Sequence, residues 1–123
     1  MKTVHIQLTG NLGADPEYVL TGDQHDRGVV KLRLAVDTYA KDDAGEWVTG
    51  EPVWYKVQLW GTVAAPVADQ LRQGDRVAVT SYRPITVDQW ITRDGETRCD
   101  MIIRADDVAL STRVDQRITR RKV

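Results

Sequence analysis

The chain has no phenylalanine, one cysteine, two histidines and four prolines in 123 residues. The single thiol, Cys99, excludes an internal disulfide and fits a reducing, cytoplasmic setting. His5 and His25 stand far apart, and neither joins a Ser/His/Asp set or a metal-spaced cluster, so neither a catalytic nor a metal centre is expected. No apolar run approaches membrane-spanning length, and the N-terminus lacks the apolar stretch of a signal peptide. Charge of one sign is also missing, since the formal net charge is only -1. With 41% hydrophobic and 28% charged residues, the chain is expected to form one folded domain with a real core.

In the absence of Phe, every aromatic ring of Trp and Tyr carries a polar handle. The densest group lies in Val53–Gly61, which alternates with period two. Val53, Tyr55, Val57 and Leu59 make an ordinary core face, while Trp54, Lys56, Gln58 and Trp60 make the other. Two indoles flanking an ammonium suit stacked bases and an anionic backbone. A second sheet or a partner protein could cover the same face.

Residues Thr3–Thr9 alternate as a first strand, and the glycines of Gly10-Asn11-Leu12-Gly13 suggest a bulge or bend after it. From about Val29 to Tyr39, Val30, Leu32, Leu34 and Val36 face one way. Lys31, Arg33, Ala35, Asp37 and Tyr39 face the other. Bases and a ring thus recur opposite an aliphatic face.

The segment Asp42-Asp43-Ala44-Gly45-Glu46 reads as a solvated hairpin tip rather than a metal site, with Trp47 beyond it as a clasp or a further stacking ring. Val63, Val67 and Leu71 then predict a short helix from Thr62 to about Gln73, starting late because of Pro66 and stopped by Gly74. Arg76–Tyr82 alternates again, with Arg76 outward. Val87–Thr92 and Thr97–Ala105 flank Arg93-Asp94-Gly95-Glu96, a strong hairpin signal. Trp90 sits on the first arm. Cys99, on the second, reads as a small strand residue rather than a nucleophile. The order strand, strand, strand, helix, strand, strand predicts an all-β OB-fold, a five-stranded barrel with one short helix between strands 3 and 4.

Four segments resemble the bacterial single-stranded DNA-binding protein (SSB) family. They are Leu8-Thr9-Gly10-Asn11-Leu12-Gly13-Ala14-Asp15-Pro16-Glu17, Leu32-Arg33-Leu34-Ala35-Val36, Trp54-Tyr55-Lys56-Val57-Gln58-Leu59-Trp60-Gly61 and Leu71-Arg72-Gln73-Gly74-Asp75-Arg76-Val77. The resemblance covers about residues 1 to 110. It implies a homotetramer of OB-folds that binds single-stranded DNA without catalysis or cofactor. It places the family's stacking rings on Tyr39, Trp54, Trp60 and Trp90. With the face pattern, Lys31, Arg33, Lys56, Arg76 and Trp47 complete the candidate set. Residues 111–123 carry Arg113, Arg117, Arg120, Arg121 and Lys122 against Asp115. They are expected to be a mobile tail without DNA that attracts phosphate. The family's main members end in an acidic tip that recruits repair proteins; the ending Arg120-Arg121-Lys122-Val123 resembles instead a tailless paralogue, or a phage or plasmid version, so recruitment of repair proteins through such a tail is not expected. Rival readings are an OB-fold protein-interaction subunit, a single-stranded RNA binder and, least favoured, an enzyme using Asp37, Asp42 or Asp43.

Overall fold

The computed structural model describes residues 3–22 and 27–112. The basic segment expected to form a tail lies almost wholly outside the described residues. The elements are β1 (Ile6–Leu12), β2 (Glu17–Thr21), β3 (Arg27–Val36), β4 (Tyr39–Lys41), β5 (Trp47–Thr49), β6 (Val53–Trp60), α1 (Ala64–Gln70), β7 (Arg76–Ser81), β8 (Thr86–Ile91), β9 (Thr97–Arg104) and β10 (Asp107–Leu110). The all-β expectation holds, and the one helix among the described residues falls where it was expected, after the strand Val53–Trp60 and before Arg76–Ser81.

Eight strands form one sheet in the order β10-β7-β1-β3-β6-β9-β8, with β2 added to β3. As a ladder this path is open, and the sheet curls back on itself. The curl is set where β9 runs into β10. Consecutive amides there bond in opposite directions, Ala105 N–H to the Gln58 carbonyl on β6 and Asp106 N–H to the Thr80 carbonyl on β7, each 2.8 Å. The buried Ser81 hydroxyl adds a 2.8 Å bond to the Arg104 carbonyl across the same seam.

Inside the curl lie Leu12, Val30, Leu32, Leu34, Val57, Leu59, Val77, Val79 and Ile103, with Ala64 of α1 and Leu71 closing one end. Apart from Leu12, which was expected in a bend, the strand residues among them are the aliphatic faces read from the alternation, because a strand's pleat sends every second side chain the same way.

Three elements differ most from expectation. β1 begins and ends three residues later, running through Gly10 to Leu12 rather than bending there. A Cβ at Gly10 would collide with the Ala35 carbonyl. The missing side chain lets β1 approach β3, so Asn11 pairs with Arg76 on one side and Ala35 on the other. The helix is shorter than Thr62–Gln73. It places Pro66 in its first turn, where a missing N–H costs nothing, and it ends when Leu71 turns extended (φ -96°, ψ 152°). The Asp75 carboxylate then takes the Arg72 N–H at 2.9 Å.

The third difference concerns the strand expected to reach Tyr39. β3 stops at Val36, and Tyr39 belongs to a separate two-stranded sheet, β4–β5. Val36 pairs with Val53 and Tyr39 with Thr49. Asp37 and Thr38 therefore face Gly50, Glu51 and Pro52, an unequal count that makes a bulge and re-aims the hairpin. Pro52 has no N–H to continue the ladder. Thr38 pins the bend, its hydroxyl donating to the Glu51 carbonyl at 2.7 Å. The Asp-Gly turn between β8 and β9 is as expected, with Gly95 at φ +84°, a conformation that side chains resist.

Candidate nucleic-acid interface

Residues paired directly across a sheet share a face, so the register gives the layout of the outward surface. One row runs Trp54–Ala35–Asn11–Arg76 across β6, β3, β1 and β7. The next runs Arg33–Lys56–Ile102–Thr86, and the third Glu17–Lys31–Gln58–Arg104. On β8, Trp90 shares this face with Thr86 and Asp88, four and two residues back. The structure therefore brings Trp54, Trp60, Trp90, Lys31, Arg33 and Lys56 to one surface. Arg76 shares the Trp54 row but lies three strands away, roughly 14 Å at ordinary strand spacing.

The rings are held in different ways. Trp54 is 44% exposed, and the Arg33 guanidinium lies 5.1 Å from its ring centroid. Its indole also packs on the bare backbone of Gly13, where a Cβ would strike the ring. Trp60 is half-buried beneath Arg104, whose guanidinium carbon is 5.6 Å from the ring centroid. Beside it is Val29, only 1% exposed although it lies on the outward face and outside the core cluster. Trp60 and Val19 flank Val29 in register. Trp60 thus has a structural task as well, which strand alternation alone did not reveal.

Between Trp90 and the centre of β3 and β6 is a groove of about 660 Å³, lined by Lys31, Arg33, Lys56, Gln58 and Trp90. The same lining includes Asp15, Glu17, Asp88 and Asp100. Lys56 is not an isolated cation, since its Nζ is 2.7 Å from Asp100 Oδ2.

Two expected members lie elsewhere. Tyr39 and Trp47 project from the β4–β5 hairpin, 64% and 68% exposed. The pairing of Lys41 with Trp47 and Tyr39 with Thr49 puts both rings on one hairpin face, and Lys41 Nζ lies 5.3 Å from the Trp47 ring centroid. Tyr39 does not continue the Lys31–Arg33 face as the uninterrupted strand had implied. Arg104 was not among the candidates. Its alternation was visible, but its place over Trp60 depends on the parallel pairing of β6 with β9.

Residues 3–111 match the model of the single-strand binding protein family. The chain belongs to that family. It is 33% identical over 109 residues to the single-stranded DNA-binding protein of Mycobacterium leprae and 32% identical over 109 residues to that of Mycolicibacterium smegmatis. Each match takes in 88% of this chain but only 62% and 64% of those relatives, so the chain spans less than two thirds of their length. In fold, this SSB-family chain is similar to the crystal structure of a small single-stranded DNA-binding protein from Streptomyces coelicolor. The TM-score is 0.71 at 22% identity, covering 91% of this chain and 97% of that one. The curled sheet, with one helix among the described residues, is accordingly an OB-fold. Among the described residues no helix is long and apolar enough to cross a membrane, and no group of His, Cys, Asp or Glu is placed to hold a metal.

Proposed function

We propose that this chain binds and protects single-stranded DNA without reading its sequence, in replication, recombination or repair. The observation that carries this reading is one outward face on which Trp54, Trp60 and Trp90 are interleaved with Lys31, Arg33, Lys56 and Arg104. Indoles offer surfaces to any base, and the cations meet the phosphates between them. Membership of the single-strand binding protein family supports the same ligand. Residues 1–110 form the binding unit. Tyr39, Lys41 and Trp47 extend it along the hairpin, Arg76 lies at its margin, and 111–123 add non-specific phosphate attraction. The protein works in the cytoplasm and performs no catalytic step, so incubation with magnesium should leave single-stranded DNA intact.

The working form is a homotetramer. Within the described fold, Ile6–Gly10 of β1 pair only with β7, leaving an unpaired strand edge that a second copy could cover. Light scattering showing a concentration-independent monomer would refute this assembly.

The test of the function is titration of intrinsic Trp fluorescence with oligo-dT, the matching duplex and oligo-U at several salt concentrations. Quenching by oligo-dT, weak duplex binding and affinity falling with salt are expected. Preference for oligo-U would make RNA the ligand, and no binding to any of them would turn the face over to a protein partner.

A further inference from the structure

The cations of the groove are answered by carboxylates within it, and one pair is in contact. Lys56 Nζ sits 2.7 Å from Asp100 Oδ2, with side-chain exposures of 56% and 25%. Asp100 lies directly opposite Asp88 on β8, so two like charges face each other in register. The Lys56 ammonium, paired with Asp100, offsets part of that repulsion. If Lys56 moves to a DNA phosphate, it leaves its own partner and uncovers two facing carboxylates.

We propose that Asp100 is a positioning residue that occupies Lys56 as an internal substitute for phosphate, with Asp88 reinforcing its hold. This rests on the single-stranded DNA reading of the face. Its consequence is a bias in what the platform rewards. A phosphate at Lys56 gains little, because it replaces a carboxylate already bound. A base on Trp54 or Trp90 displaces only water. The groove therefore favours ligands with free base faces over ligands offering phosphates alone.

The salt dependence carries the signature. In the native protein, transfer of Lys56 releases a cation from DNA, while the freed Asp100 attracts one back. Asp100→Asn removes the second step. The slope of log K against log salt for oligo-dT should steepen by up to about 0.7, the value of one single-strand phosphate contact. Affinity should rise roughly threefold, as for removal of a competing ion pair near the surface. A role confined to structure would lower affinity and leave the slope alone. A second readout uses the native protein and needs no variant. On saturation with oligo-dT, the Lys56 Nζ and Asp100 carboxyl NMR signals should shift together as the pair parts. If native protein binds oligo-dT but Asp100→Asn leaves both affinity and slope unchanged, or the Asp100 carboxyl signal does not move, the inference about Asp100 is overturned alone. If native protein does not bind oligo-dT, the proposed function falls and the inference with it.

Discussion

Replacing Trp54 by Ala separates base stacking from stability more cleanly than any other change on the face. The indole is 44% exposed, so about half of a surface of roughly 200 Å² is already covered by Gly13 and Arg33. Uncovering about 100 Å² at about 25 cal/mol per Å² costs at most roughly 2.5 kcal/mol of stability. That is less than the total of an ordinary domain and corresponds to a fall in Tm of roughly 10 °C. The exposed half is the part a base can cover. Stacking is worth about 1–3 kcal/mol per base, so Trp54→Ala should weaken oligo-dT binding by roughly tenfold or more. The effect should be similar on mixed sequences, because every base has a flat face. Fluorescence anisotropy of labelled oligo-dT, on protein checked by thermal melting, measures both quantities. Trp60→Ala should weaken binding too, but at a larger stability cost, since Trp60 also flanks the buried Val29. A Trp54→Ala,Trp60→Ala double variant that folds and binds oligo-dT at full affinity would refute the stacking role of this face.

Four further outcomes are expected, three from the geometry and one from the charge of the C-terminal segment. Lys56→Ala should flatten the salt slope by less than about 0.7, because Asp100 already holds part of that charge; a full-sized change would argue against the competition. Gly10→Ala should destabilise by roughly 1–3 kcal/mol in denaturant titrations through collision with the Ala35 backbone, whereas Gly13→Ala meets only the movable Trp54 ring and should perturb fluorescence and binding more than stability. Deletion of residues 112–123, which removes Arg113, Arg117, Arg120, Arg121 and Lys122, should lower affinity for oligo-dT and flatten its slope by about 0.7 for each phosphate the segment had neutralised; an unchanged slope would show that the segment does not touch DNA.

Neighbours along the chain set its local directions. Alternation in Val53–Trp60 and along most of β3 fixed which side chains face the core and which face outward. Pro66 located the first turn of the helix, and Asp94-Gly95 located a hairpin. These features are legible in the sequence because pleat, helix pitch and turn conformation depend on adjacent residues. Trp54, Lys56 and Trp60 were therefore readable as sharing one face, and the quoted segments carried the family.

Which charges and rings meet across that face depended on the tertiary structure. The bulge at Asp37 and Thr38 carried Tyr39 away from Arg33, although nothing in the alternation interrupts there. Parallel pairing of β6 with β9 set Arg104 over Trp60 and brought Asp100 to Lys56, residues far apart in the chain. Register across such a pair follows from how the whole core closes, with α1, β7 and the β8–β9 hairpin all contributing. A period-two pattern looks the same in any even register. The outward face was thus written locally, while its pairing of Lys56 with Asp100 came from the packing of the interior beneath it.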